Sequence, residues 1–173
     1  MLSCQSNRFH PVETVNAYFE SRDSRDFKEI VKYVHDSLII TEGDFVMGYD
    51  DDSYYEVFKW DSVFHQSYKV VDLELEGKSV LATIKINSIK HEFLKNPDMT
   101  CLFRISLIGG NISKLESLDC PDADWAVWSE ERDSLVSWIS KHHPDLDGFI
   151  NDMSMEGAIN YLSAIKLYQE TKN

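Results

Sequence analysis

The spacing of the apolar residues changes along the chain, and this change limits the folds that the sequence can adopt. Between residues 68 and 118, apolar side chains recur at every second position, which is the repeat of a β-strand with one buried face. Glycine turns at Gly77 and at Gly109-Gly110 interrupt this repeat. The pattern predicts four consecutive antiparallel strands, at residues 68–76, 79–89, 99–108 and 111–118.

The residues before this segment follow a helical repeat instead. Helices are predicted at residues 11–21, with Pro11 in the first turn, and after Asp23 or Ser24, with an apolar face of Phe27, Ile30, Val31 and Val34. A third helix is predicted to begin at the acidic run Asp50-Asp51-Asp52, and residues 37–41 are predicted to form one short early strand. Helices and strands segregated in this way predict an α+β fold, with helices covering a curved antiparallel sheet.

The C-terminal part of the chain returns to helical spacing. Apolar residues recur three and four positions apart between Trp125 and Ile139, Pro144 ends that pattern, and a second helix is predicted at residues 155–168. The two segments predict an α-helical hairpin. Each helix carries an apolar stripe that would form a large patch if it faced water, so we expect the hairpin to be docked on the preceding fold.

Charge and composition exclude several classes of function. The chain of 173 residues has a formal net charge of −13, the same sign as a phosphate backbone, so nucleic acid is not expected as a partner. No apolar stretch is long enough for a transmembrane segment. No cofactor is expected, because the sequence has no glycine-rich phosphate loop.

No metal site is expected either. His142 and His143 are adjacent, so on a helix they point to different faces. Asp145, Asp147 and Glu156 have the spacing of three positions of a calcium loop. Phe149 stands where that loop needs an oxygen ligand, so the match fails.

The three cysteines are Cys4, Cys101 and Cys120, and this odd count does not indicate a disulfide framework. Cys101 lies in an apolar run and is interpreted as a core residue. Cys4 follows Met1-Leu2-Ser3 and precedes polar residues, as does the lipidated cysteine of a bacterial lipoprotein. The chain as it stands predicts a cytoplasmic protein, whereas a start upstream of Met1 would predict an envelope lipoprotein lipidated at Cys4.

Two stretches carry a resemblance to a known superfamily: residues 17–27, with the sequence AYFESRDSRDF, and residues 103–112, with the sequence FRISLIGGNI. Residues 11–119 resemble the nuclear transport factor 2-like superfamily, also called SnoaL-like, which includes ketosteroid isomerases, scytalone dehydratases and polyketide cyclases. The resemblance implies a cone-shaped fold with an apolar pocket at its wide end, after a flexible segment 1–10. Residues 120–173 are expected to form the docked hairpin, an extension similar to that of an uncharacterised bacterial subgroup.

The same resemblance implies candidate catalytic residues. Tyr18 stands where ketosteroid isomerase has its oxyanion-hole tyrosine, and Glu42 where it has its carboxylate base. Leu102 stands where the isomerase has a second acid, so that oxyanion hole is incomplete. Such chemistry needs a base over a C–H bond and a donor for the developing oxyanion.

Arg104 is a further candidate, as a residue that holds an anion. It points into the pocket if the face of the strand that carries Leu102 is concave, with Glu42 or Asp72 as its carboxylate partner. If Phe103 faces inward instead, Arg104 lies in solvent. The sequence leaves both registers open.

Aromatic residues of the third predicted helix and its flank either line a ligand pocket or fill the core; these residues are Tyr49, Tyr54 and Trp60. Three hypotheses follow. The first is a module that binds a small apolar or weakly anionic molecule without turnover. The second is an isomerase, dehydratase or cyclase with Glu42 as base, Tyr18 as donor and Arg104 as anion holder. The third is a homodimeric interaction module that associates through the sheet, as the resemblance implies.

Overall fold

The computed structural model describes residues 10–171. Its helices are α1 (Pro11–Ser24), α2 (Phe27–Ile30), α3 (Asp51–Val63), α4 (Ile89–Phe93), α5 (Trp125–His142) and α6 (Met155–Glu170). Its strands are β1 (Val34–Glu42), β2 (Phe45–Tyr49), β3 (Ser67–Glu76), β4 (Ser79–Asn87), β5 (Met99–Ile108) and β6 (Asn111–Asp119).

The strands form one six-stranded sheet in the order β2-β1-β6-β5-β4-β3. Strands β3 to β6 are the four-strand antiparallel segment that the sequence predicts, and the α+β class is confirmed. The helices α1 and α3 contribute buried residues that cover one face of this sheet. That face is therefore the inner face of the cone.

The N-terminal part of the sheet differs from the prediction. It contains two strands, β1 and β2, joined at Gly43, whose φ of +57° is a conformation that suits glycine. Strand β1 then pairs with β6 in parallel, so the sheet is antiparallel except at this one pair. A local repeat shows that a segment is a strand but does not name its neighbour, and the long connection from β1 to β6 allows the parallel pairing.

The end of β4 also differs from the prediction. The strand stops at Asn87 rather than Ile89, and the short helix α4 follows. The Ser88 side chain accepts a hydrogen bond from the backbone N–H of His91, which caps this helix. The cap turns Lys90 and His91 out of the strand and places them at one end of the sheet.

The buried apolar side chains form two clusters. The first, the cone core, lies between α1, α3 and the inner face of the sheet and includes Val15, Tyr18, Leu38 and Ile105. The second, the hairpin core, joins residues of α3, α4, α5 and α6, including Phe64, Leu94, Leu135 and Ile165. Trp128 of α5 packs against both clusters. The C-terminal hairpin therefore lies against α3 and α4, at the end of the sheet where β4 stops.

The hairpin depends on one close backbone approach. A Cβ atom at Gly157 would lie 2.1 Å from the backbone oxygen of Asp152. Any larger residue would push the start of α6 away from the preceding turn. Glycine at this position is therefore required by the path of the chain.

The cysteines correct the interpretation made from their count. Cys101, in β5, and Cys120, just after β6, form a disulfide across 19 residues. Both residues lie in the cone core, where the pairing of β5 with β6 brings them together. A loop of this size stabilises a fold by about 3 kcal/mol. The odd cysteine, Cys4, and its predicted lipidation lie outside the described residues.

Within residues 10–171, none of the helices combines the length and apolar character that crossing a lipid bilayer would require.

Candidate functional site

A cluster of polar side chains lies between α1, α3 and β3, next to the cone core, and Arg22 is at its centre. Tyr18 and Arg22 lie four residues apart on α1, so they share one face of the helix. The Nη1 atom of Arg22 donates to the hydroxyls of Tyr54, at 2.8 Å, and Tyr18, at 3.3 Å. Its Nη2 atom donates to Asp61 Oδ2, at 2.5 Å, and to the Tyr68 hydroxyl. We call these five residues the Arg22 cluster.

The Arg22 cluster is internally satisfied. The Tyr18 and Tyr54 hydroxyls are 2.6 Å apart and hydrogen-bonded to each other. Arg22 is only 8% exposed, and the Asp61 carboxylate compensates its charge. Burial raises the pKa of Tyr54 and of Tyr68, so both phenols are neutral at physiological pH. The cluster thus joins α1, α3 and β3 through hydrogen bonds that leave no described side-chain atom of its members buried without a partner.

A second group of side chains lies where α3, α4 and α5 meet. The Lys90 ammonium group is 4.4 Å from the ring centroid of Trp60, 5.5 Å from that of Phe64 and 6.0 Å from that of Trp128. The side chain is half-buried, and no described residue accepts a hydrogen bond from Nζ or forms an ion pair with it. We call Lys90 and these three rings the Lys90 cage.

Buried polar atoms without partners adjoin the Lys90 cage. Among the described residues, Trp60 Nε1 and His91 Nδ1 are buried and form no hydrogen bond. Trp60 is 9% exposed and His91 is 6% exposed. Buried polar atoms normally have a partner, so each of these atoms requires an explanation. The third such atom, Thr41 Oγ1, belongs to β1.

The environment of the cage changes the proton affinity of both basic residues. Burial lowers the pKa of Lys90, while the charges of Asp61 and Glu42 act in the opposite direction. Burial and the neighbouring Lys90 lower the pKa of His91 to about 4. Two bases with a lowered pKa therefore lie side by side, and among the described residues the Lys90 nitrogen has aromatic rings but no hydrogen-bond acceptor around it.

The sheet register places Glu42 on the same side of the sheet as the cone core. Ile40 packs against the cone core, and Glu42 is two residues further along β1. Glu42 pairs with Ser117 of β6, which pairs with the inward-facing Phe103 of β5. The carboxylate thus lies at the open end of the concave face, where the side chain is exposed. Its charge also raises the pKa of the half-buried Tyr49, after the larger contribution of burial.

The two residues of the isomerase-like pair are not brought into contact. Tyr18 is buried inside the cone, and its hydroxyl is hydrogen-bonded to Tyr54 and Arg22. Glu42 lies exposed at the open end. The Arg22 cluster, rather than a base and a free donor, occupies the interior.

Arg104 takes the second of the two registers that the sequence left open. Cys101 and Ile105 are buried, so Arg104 and Leu102 lie on the outer face of the sheet. The Arg104 side chain is 41% exposed and pairs with Glu76, at 3.1 Å, and Glu116, at 3.2 Å. The partners predicted for Arg104, Glu42 and Asp72, are therefore not the ones it has. Asp72 is exposed on β3.

The predicted aromatic residues divide between the two cores. Tyr54 belongs to the cone core, with Tyr49 half-buried against it at a ring distance of 6.2 Å. Trp60 belongs to the hairpin core instead and forms a wall of the Lys90 cage. These three residues therefore do not line one common pocket.

Sequence reasoning missed Arg22, Asp61 and Lys90. The spacing of Tyr18 and Arg22 was a usable signal, because two polar groups four residues apart on a helix share a face. Ser88 was a second signal, because a serine can cap a helix and so end the strand before Lys90. Neither signal indicates which other residues lie close to Arg22 or to Lys90.

The cavities formed by residues 10–171 include two that are not lined by Lys90. One, of about 630 Å³, is a groove along the hairpin lined by residues that include Trp138, Lys141 and Tyr168. The other is a cleft beside Arg22 and Arg25 with room for about one water molecule. Neither cavity is lined by a residue whose buried polar atom lacks a partner. Residues 10–171 contain no group of acidic, histidine and cysteine side chains that could hold a metal ion.

Comparisons with known proteins identify the fold. No protein-family model matches the chain, and no curated protein shows significant similarity to it. Solved structures do match. IdmH, a proposed polyketide cyclase from Streptomyces antibioticus, is 16% identical, with a TM-score of 0.53 over 72% of this chain and 99% of IdmH. An NTF2-like protein of unknown function from Cytophaga hutchinsonii is 13% identical, with a TM-score of 0.52 over 65% of this chain and 92% of that protein.

The enzyme SalBIII, described as epoxide hydrolase/cyclase-like and linked to pyran ring formation in salinomycin, is 18% identical to this chain. Its TM-score is 0.53 over 61% of this chain and 87% of SalBIII. Identities this low establish a shared architecture and not a shared activity. The chain has the nuclear transport factor 2-like, or SnoaL-like, fold.

Proposed function

We propose that the protein binds a small apolar molecule with one anionic group at the open end of the cone, and that Lys90 holds this group. The observation that supports the proposal is the Lys90 ammonium, half-buried among three aromatic rings without an acceptor. A carboxylate or other oxyanion would supply the missing acceptor through a charge-assisted hydrogen bond.

The chemistry of the cage also limits the rest of the ligand. Trp60 and Phe64 are buried and Trp128 is half-buried, so Trp128 is the ring of the cage that is open to an apolar or aromatic ligand body. The Arg22 cluster occupies the interior of the cone, so the ligand must be small and must stay near the mouth. Sites of this composition, apolar with few polar groups, are typical of small-molecule binding.

Binding without turnover agrees better with the geometry than the isomerase, dehydratase or cyclase alternative. That alternative needs the Tyr18 hydroxyl as a donor next to the base. The hydroxyl is already hydrogen-bonded at 2.6 Å to Tyr54, and Glu42 is exposed at the mouth. The homodimer through the sheet stays a prediction.

The test is a thermal-shift titration with benzoate and hexanoate, and with benzamide as an uncharged analogue. A carboxylate present at one hundred times its Kd should stabilise the protein by about 2.7 kcal/mol. Lys90→Met keeps the length of the side chain and removes its charge, so the shift with carboxylates should disappear. Benzamide should bind more weakly than benzoate to the unaltered protein.

Lys59→Met is the matched control. Lys59 is also half-buried and lies against an aromatic ring, 5.1 Å from the Tyr55 centroid, but its ammonium group is paired with Glu56 at 2.7 Å. This variant should respond to carboxylates as the unaltered protein does. Equal shifts in the Lys90 variant, or none with either carboxylate, would contradict the proposal.

A further inference from the structure

We infer that Lys90 is a nucleophile that forms an imine with small aromatic aldehydes entering the cage. The inference deepens the proposed function, since it rests on the same site at the mouth of the cone. It adds a covalent step and a substrate class, carbonyl compounds, to non-covalent binding of an anion.

The surroundings of the Lys90 amine support this inference. Lysine amines attack carbonyl groups only in the neutral form, and a surface lysine in an ion pair is held in its charged form. Within residues 10–171, Lys90 has neither a carboxylate close enough for an ion pair nor a hydrogen-bond acceptor for its nitrogen. Burial lowers the pKa of Lys90 and so favours the neutral amine that can attack a carbonyl group.

The aromatic rings around the Lys90 nitrogen also support the inference. Trp60 and Trp128 lie 4.4 and 6.0 Å from the nitrogen, measured to their ring centroids. A flat aromatic aldehyde can pack against the half-buried Trp128 ring while its carbonyl carbon reaches the amine. The same rings keep water away from the product, which protects an imine from hydrolysis.

The step is balanced without any further reactant. The Lys90 nitrogen forms a bond to the carbonyl carbon and gives a carbinolamine. The two protons of the neutral amine end on the former carbonyl oxygen, which leaves as water, and a C=N bond replaces the C=O bond. The acids that act electrostatically on Lys90 are Asp61 of α3 and Glu42 of β1, and His91 is its neighbour on α4.

The experiment treats the full chain with benzaldehyde and sodium cyanoborohydride, which reduces an imine to a stable benzylamine. Intact mass and peptide mapping then locate the adducts. We expect one main benzyl adduct at Lys90, in excess over Lys59, and its loss in Lys90→Arg, which keeps the charge but forms no imine. Lys59→Arg should keep the main adduct.

Two outcomes would overturn the inference: labelling spread over the exposed lysines, or a main adduct that persists in Lys90→Arg. These outcomes are independent of the carboxylate titration. A protein that is stabilised by benzoate but is not labelled at Lys90 retains the proposed function and refutes the nucleophile. A protein that is labelled at Lys90 but is not stabilised by carboxylates supports the nucleophile and refutes the proposed function.

Discussion

Buried polar groups have hydrogen-bond partners in the Arg22 cluster but lack described partners at the open end of the cone. In the Arg22 cluster, a buried guanidinium is bonded to a carboxylate and three hydroxyls. In the Lys90 cage, an ammonium, an indole N–H and an imidazole nitrogen share one region without described acceptors or donors. The two regions are linked by consecutive residues of α3, since Asp61 pairs with Arg22 while Trp60 faces Lys90.

The difference separates a structural role from a binding role. A fully bonded buried network stabilises the packing of the elements that carry it, and opening it for a ligand would leave charges unpaired. Unpartnered polar groups cost free energy in the folded protein, and a ligand that supplies their partners recovers that cost. We therefore propose a stabilising role for the Arg22 cluster and a binding role for the Lys90 cage.

The largest expected effect comes from removing the hairpin that covers the open end. A chain that ends after Ala123 keeps Cys120 and its disulfide but loses α5 and α6. Phe64, Phe93 and Leu94 then become exposed, each worth roughly 1.5–3 kcal/mol, against a total stability of roughly 5–15 kcal/mol. We expect this chain to aggregate or unfold, as measured by size-exclusion chromatography and circular dichroism. A soluble fragment with the Tm of the full chain would show instead that the hairpin is an independent appendage.

A smaller effect is expected inside the cone. Asp61→Asn leaves the buried Arg22 charge without its anion, and breaking such a pair costs about 3 kcal/mol in the free energy of unfolding, measured by urea denaturation. Glu76→Gln is the matched control, because it breaks a pair of Arg104 in which Glu76 is 53% exposed. Exposed pairs contribute at most about 1 kcal/mol. Similar losses in the two variants would contradict the distinct role of the Arg22 cluster.

The third effect is a pH dependence at the open end, and its upper limit is similar to the effect of Asp61→Asn. Because the pKa of His91 in the folded protein is about 4, against 6.5 unperturbed, the folded protein keeps the imidazole neutral while the unfolded chain takes up a proton. The free energy of unfolding should therefore fall by up to about 3 kcal/mol as pH falls from 6.5 to 4.

Carboxylates also titrate in this range, so the comparison needs a variant. His91→Phe removes the imidazole and should flatten the pH dependence of stability, measured by urea denaturation at several pH values. The contribution of the remaining acids should persist in both proteins. An unchanged slope in His91→Phe would mean that His91 is accessible to protons in the folded protein.

Local patterns in the sequence were enough for most of the architecture. The two-residue repeat of β3 to β6 and the turns at Gly77 and Gly109 follow from the conformations of neighbouring residues, so they can be predicted without a structure. The α+β class and the helical hairpin follow from the same kind of signal. The net charge of −13 is likewise a property of the sequence alone.

The candidate site was much less predictable. Tyr18 and Glu42 were named from the resemblance, but the Tyr18 hydroxyl is engaged in the Arg22 cluster and Glu42 is exposed. Arg104 lay on a strand whose two faces are both partly apolar, and only packing against α1 decided that Phe103 faces inward. The odd cysteine count concealed a disulfide whose two halves meet through strand pairing.

What the sequence by itself determined is the order of the longer helices and of strands β3 to β6, because the repeat of apolar residues acts over a few neighbouring positions. The tertiary structure alone decided the parallel pairing of β1 with β6, the Cys101–Cys120 bond and the surroundings of Lys90. Each of these features joins residues that are distant along the chain. Their proximity depends on how whole elements pack, and no local pattern encodes that packing.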